Sequence, residues 1–249
     1  MCCFSREVQS VSNTNIFARS SKEGRQFLVY SMSLSSKEEL AMILPIPTPS
    51  GSPDDALKFI DLQEYSDFFK DMLAGFPVPL PPAPAGRPKV AALKTDKKLA
   101  VVEVGSFEAS FVPSIRDFSR LDERFRLPDG TWDHLPLYRE YGFAVFKLKK
   151  GEQKVHPMSF EFPRANPKKL FFPTVHIHDG QVHAKASFDH TLYCQVTEME
   201  SAQVMQWRES PNPASQFMKI DKTKAIVTAG RHCYQRIIRG MQKNEDTWV

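Results

Sequence analysis

The sequence predicts an α+β fold, built mainly from an antiparallel β-sheet or sandwich with a few short helices. Strand-like runs rich in β-branched and aromatic residues outnumber amphipathic helical runs, and few strand–helix–strand units appear. The composition, 41% hydrophobic and 25% charged residues with no internal repeat, is typical of a globular protein. It excludes a wholly disordered chain and a fibrous repeat protein.

Strands are predicted throughout the first 47 residues. The run from Phe27 to Met32 consists largely of β-forming residues, and Ile16-Phe17-Ala18 supplies the other arm of a hairpin across the turn residues 22–25. Leu40 to Leu44 predicts a third strand. The prolines that follow should end it, because proline cannot donate a ladder hydrogen bond.

Two helical signals follow. Ser52-Pro53-Asp54-Asp55 is typical of a helix start, with a capping residue, an early proline and acidic residues in the first turn. Apolar residues at helical spacing between Tyr65 and Leu73 predict an amphipathic helix over 64–74.

A proline-rich connector interrupts the chain, with six prolines between Pro77 and Pro88. Such a segment favours an extended conformation and excludes a helix or a central strand. We expect one domain over 1–249 with this connector as a rigid strap. The alternative is two domains, 1–76 and 89–249.

The remaining chain again predicts strands, with a helix over 115–125 and a short one near 201–208. The predicted strands are 98–104, 107–112, 141–148, 154–162, 170–178, 181–196, 223–227 and 233–238.

A histidine-rich hairpin is the most informative stretch. Asp179-Gly180 between two strand-like runs is a strong hairpin signal, because both turn positions need positive φ. With that turn, His176 pairs with His183, and side chains alternate between faces. One face is then apolar and also takes His190 and Cys194, which predicts a buried histidine beside a buried thiol.

The opposite face carries His176, His178 and His183 together. Cross-strand Cβ atoms lie about 4.5–5.5 Å apart, so three imidazoles can converge on one ion with a coordination position left open, as in catalytic zinc sites. This local pattern resembles the metal site of the α-class carbonic anhydrases, and the resemblance covers only these residues. It predicts a zinc-binding protein that could activate water for hydrolysis. The alternative is a polar, solvent-facing or partner-binding surface.

The N-terminus offers a second enzyme hypothesis. Removal of Met1 would leave Cys2 with a free α-amine, which an N-terminal nucleophile uses as its base. Phe17-Ala18-Arg19 resembles the segment that follows the nucleophile in choloylglycine-type amide hydrolases. That resemblance assigns Cys2 as the nucleophile and Arg19 as its electrostatic partner.

A broader resemblance covers about the first 60 residues. The Cys2-Cys3 start and the Leu44-Pro45-Ile46-Pro47 segment after a strand are similar to an uncharacterised bacterial family of unknown function. The resemblance implies a bacterial source and no activity.

Charge and hydropathy limit the classes of partner. The formal net charge is +4, and no apolar run approaches the roughly 20 residues of a membrane helix. We expect a cytoplasmic protein, or a periplasmic or lipid-anchored one if a leader has been removed. The basic stretch from Lys219 to Lys243 predicts a solvated face rather than a nucleic-acid site. A protein partner could use the hairpin face or the proline-rich strap.

Overall fold

The computed structural model describes residues 2–77, 108–127, 130–154, 157–177, 183–197 and 202–249. Within these residues the chain is rich in β-strands and has few, short helices, which confirms the predicted fold class. The predicted strand 98–104 and nearly all of the proline-rich connector lie outside the described residues.

The strands are β1 (Cys2–Phe4), β2 (Ser10–Ser20), β3 (Arg25–Ser36), β4 (Leu40–Ile46), β5 (Lys58–Ile60), β6 (Ala109–Val112), β7 (Gly142–Leu148), β8 (Gly151–Lys154), β9 (Met158–Pro163), β10 (Phe171–Phe172), β11 (His176–Ile177), β12 (Lys185–Gln195), β13 (Arg208–Glu209), β14 (Tyr234–Lys243) and β15 (Thr247–Trp248). The α-helix of the described part is α1 (Phe68–Ala74), and short 3-10 turns connect many strands.

Two sheets organise the described chain. The five-stranded sheet has the order β11-β1-β4-β7-β6, and the eight-stranded sheet has the order β13-β14-β12-β2-β3-β9-β5, with β8 also paired to β3. Most pairs are antiparallel, but β2 pairs with β12, and β1 with β11, in parallel. Both sheets therefore combine strands from before residue 78 with strands from after residue 107.

The sheets pack face to face, and each is covered on its other side. Ile16 and Leu192 of the larger sheet and Met42 of the smaller one meet in the central core. A second cluster packs α1 against the outer face of the larger sheet, where Phe68 lies edge-on to Phe17 with ring centroids 5.8 Å apart. A third cluster packs Phe118, Leu135 and Tyr138 against the outer face of the smaller sheet.

The N-terminal hairpin forms as the sequence predicts. β2 and β3 pair antiparallel from Ser20 opposite Gln26 onward, and the turn between them contains Glu23 and Gly24 at positive φ. Gly24, at φ 71°, adopts this left-handed conformation without the strain that a Cβ would add.

Pro45 does not end its strand, contrary to the prediction. It lies inside β4 opposite Phe143, because β7 continues to pair there. β1 reaches only Met42 and Ile43 of β4. Pro45 thus has a neighbouring strand on one side. A strand position of this kind can accommodate proline, which has no backbone N–H to donate.

Several predicted helices and strands are shorter or absent. Residues 52–55 form a turn rather than a helix start. The predicted helix 64–74 is split into a 3-10 turn (Gln63–Tyr65) and α1, and the expected core residue Leu73 is 55% exposed. The predicted strand 223–227 is a 3-10 turn followed by bends.

Gln26 ties the small β10–β15 ribbon to the larger sheet. Its fully buried side chain donates from Nε2 to the carbonyl of Phe171 at 2.7 Å and accepts at Oε1 from the Phe171 N–H at 3.0 Å. The amide thus completes the backbone hydrogen bonding of Phe171 as a neighbouring strand would.

We expect Gln26→Leu to lower the free energy of unfolding by about 3 kcal/mol, because it leaves two buried backbone groups unsatisfied. Gln242→Leu, at an exposed position of β14, is the matched control and should change it by less than about 0.5 kcal/mol. Urea denaturation followed by circular dichroism measures both. Equal midpoints for the two variants would contradict this role of Gln26.

Candidate functional site

The predicted zinc ligands occupy different environments. His176 begins β11 and is 9% exposed, whereas His183 precedes β12 and is exposed. His178 and the Asp179-Gly180 turn lie outside the described residues.

The expected pairing of His176 with His183 is wrong. β11 pairs in parallel with β1 of the smaller sheet, where His176 lies opposite Cys2. β12 pairs with β14 along 185–194 and with β2 from His190 onward. Strands distant in sequence thus replace the local partner, and β11 and β12 belong to different sheets.

His176 and His190 instead form a buried pair. Their ring centroids lie 4.7 Å apart at an interplanar angle of 62°, and Phe188 lies 4.6 Å from His176. His190 is 1% exposed and Cys194, four residues on, is fully buried, which confirms the predicted burial of these two residues. The faces predicted for the other strand are wrong, because His176, expected on the opposite face, lies beside His190, while Val175 and Ile177, expected on the face of His190, pack in the outer cluster of the smaller sheet.

Asn244 holds the two ends of the histidine segment together. Its Oδ1 accepts from the His176 N–H at 2.7 Å, and its Nδ2 donates to the carbonyls of His176 and His183 at 3.0 and 2.9 Å. The backbones of the two predicted ligands are therefore bridged by one side chain that follows β14.

Asp246 anchors the residues before His176. Its Oδ1 accepts from the N–H groups of Thr174 and Val175, and its Oδ2 accepts from the Tyr138 hydroxyl at 2.6 Å. Burial and then the charge of Asp246 raise the pKa of Tyr138 far above its ordinary value, so this phenol stays protonated and donates.

Arg19 does not lie beside Cys2. Its side chain projects from the face of the larger sheet that points away from the smaller one, where its guanidinium donates to the carbonyls of Ala225 and Ile226 at 2.5 and 2.6 Å. It also lies 4.9 Å from the Phe27 ring centroid. Burial, followed by the charge of Arg231, lowers the pKa of Arg19 to about 10. Arg19 supports a turn in which Lys224 and Ala225 both have positive φ.

The sequence offered no signal for a surface cleft of about 480 Å³ beside the smaller sheet. Arg116, Trp132, Asp133 and Arg139 are among its lining residues. They come from two separate loop segments, 113–116 and 132–140, which only tertiary packing brings together. The Trp132 ring packs against the ring of Phe143, with centroids 4.6 Å apart.

Comparison with known proteins identifies the fold. No family model and no curated protein matches the chain. A solved structure of baculovirus P35 aligns with 97% of this chain and 96% of its own, at 13% identity and a TM-score of 0.52. The fold is similar to that of baculovirus P35.

Two further structures of P35 align over similar lengths. A mutated baculovirus P35 after caspase cleavage covers 95% of this chain and 99% of its own, at 13% identity and a TM-score of 0.46. P35 in the caspase-8/P35 complex covers 95% of each chain, at 12% identity and a TM-score of 0.42.

Within the described ranges no group of three His, Cys, Asp or Glu side chains is placed to hold a metal ion, and no helix is long and apolar enough to cross a membrane. Because His178 falls outside these ranges, the site formed by His176, His178 and His183 stays a prediction. The N-terminal nucleophile hypothesis for Cys2 stays a prediction as well.

The three-histidine hypothesis predicts about one equivalent of zinc in protein purified without chelator. His183→Ala should lower this content, whereas His134→Ala, at an exposed histidine outside the predicted triad, should not. Elemental analysis by mass spectrometry measures both. Less than about a tenth of an equivalent in the unaltered protein would exclude the site.

Proposed function

We propose that this protein acts by binding another protein and that its partner is a caspase-type cysteine protease. The observation that carries the proposal is the fold similarity to baculovirus P35 over nearly the full length of both chains. P35 has been solved after caspase cleavage and in complex with caspase-8. The proposal takes up the protein-partner hypothesis of the sequence in preference to the two enzyme hypotheses.

The connection between α1 and β6, which contains the proline-rich strap, is the part that we propose the protease engages. A segment that binds a protease gains affinity when its ends are held rigidly, because less conformational entropy is lost on binding. Both ends of this connection are anchored on the folded sheets.

At the first end, Phe76 is 3% exposed and its ring centroid lies 5.7 Å from that of Tyr193 on the outer face of the larger sheet. The carbonyl of Pro77 accepts a hydrogen bond from the Arg208 guanidinium. Pro77, the last described residue before the connection, is therefore held at a fixed point.

At the second end, the carbonyl of Glu108 accepts from the Lys147 N–H at 2.9 Å, and Val112 pairs with Phe143 of the smaller sheet. The connection thus runs from the cover of one sheet to the edge strand of the other. Its two ends belong to different sheets of the same sandwich.

Asp96 is the one aspartate between these anchor points, and caspases cleave on the carboxyl side of aspartate. We therefore expect the protein to inhibit caspase-8 at equal molar concentrations, measured by hydrolysis of a fluorogenic peptide. Asp96→Ala should abolish inhibition. Asp133→Ala, at an exposed aspartate of the described part, is the matched control and should inhibit as the unaltered protein does.

Two further measurements make the test decisive. Intact mass spectrometry of the mixture should locate a cut peptide bond after residue 96. Caspase whose active site has been blocked beforehand should not bind in a pull-down experiment. Full caspase activity in a large molar excess of this protein, across a panel of caspases, would refute the proposal.

A further inference from the structure

Within the part of the chain that the structure describes, most of strand β14 is an edge of the eight-stranded sheet. It pairs with β12 over ten consecutive residue pairs, from Cys194 opposite Tyr234 to Lys185 opposite Lys243. On its other side, β13 covers only Tyr234 and Gln235. Among the described residues, the stretch from Arg236 to Lys243 pairs with no second strand, and the carbonyl of Arg239 accepts from Nε2 of Gln242 at 3.3 Å.

The exposed side chains of this edge include apolar ones. Ile237 is 56% exposed and Met241 is 65% exposed. Gly240 lies between these two side chains at φ 74° and interrupts the regular alternation of β14 there. The edge has no proline and its pairing with β12 has no register shift, although both devices commonly protect edge strands from association.

The charge around this edge is basic. Arg236 is exposed, Arg239 pairs with Asp189, and Lys243 pairs with Glu245. Lys185 lies opposite Lys243 on the neighbouring strand. Four basic and two acidic side chains leave a local formal charge of 4 − 2 = +2.

This charge decides between the possible occupants of the edge. A second copy of the chain that paired antiparallel through β14 with residue 236 opposite residue 243 would bring Arg236 of each copy opposite Lys243 of the other. Like charges directly opposite each other in a sheet are destabilising. An acidic strand from another protein would instead place opposite charges there.

We propose that the β14 edge, residues 236–243, binds an extended acidic segment of another protein as an added antiparallel strand. Main-chain hydrogen bonds supply affinity, Ile237 and Met241 contact apolar side chains of the added strand, and Arg236 selects for acidic residues. The site lies on β14 and does not depend on the protease proposed above.

The test uses two labelled peptides, one alternating valine and glutamate and the other alternating valine and lysine. Fluorescence anisotropy with the full chain should detect binding of the glutamate peptide and not of the lysine peptide. Hydrogen exchange measured by NMR should show new protection at amides within 236–243. Arg236→Glu should weaken binding about fivefold or more.

Lys222→Glu is the matched control, since it makes the same charge change at an exposed position outside the edge and should leave the affinity unchanged. Equal binding of both peptides, or equal losses in the two variants, would show a nonspecific charge effect and overturn the proposal. Binding without protection of residues 236–243 would place the peptide elsewhere. A dimer in sedimentation equilibrium that the glutamate peptide does not dissociate would assign the edge to a second copy.

Discussion

The parallel pairing of β2 with β12 is the contact on which the rest of the structure depends. It joins a strand from the first 20 residues to one beginning at residue 185, with Thr14 opposite His190 and Arg19 opposite Gln195. β2 brings β3, β9 and β5 into the larger sheet, and β12 brings β14 and β13. Forming this pair closes a loop of more than 150 residues, an entropic cost that local hairpins avoid. Burial on both faces of the two strands compensates for it.

Alternation along these strands assigns the residues of interest to opposite sides of the sheet. Phe17 and Tyr193 pack outward beneath α1, whereas Ile16, Leu192 and Cys194 face the smaller sheet. His190 shares the inner face and therefore meets His176 across the core, while Arg19 shares the outer face and supports the turn at Ala225. The same register that buries the core thus separates Arg19 from the strand that contains Cys2.

Local features were predictable from the sequence and long-range pairings were not. The β2–β3 hairpin and the burial of His190 and Cys194 follow from alternation and turn residues within one short segment. The register of His176 depends on β1, about 170 positions away, and no local pattern encodes such a partner. The cleft at Arg116, Trp132 and Arg139 escaped prediction for the same physical reason, because its lining comes from three separate segments, near residues 50, 115 and 135. The buried role of Gln26 also depends on a distant backbone, that of Phe171.

Native-state hydrogen exchange at increasing denaturant tests the central pairing most directly. If β2 and β12 form one cooperative unit, the amides of Ile16, Phe17, Leu192 and Tyr193 should open with the same free energy, and that value should equal the free energy of global unfolding. The account would be contradicted if the amides of β12 and β14 exchanged through a partly unfolded state in which β2 and β3 remained protected.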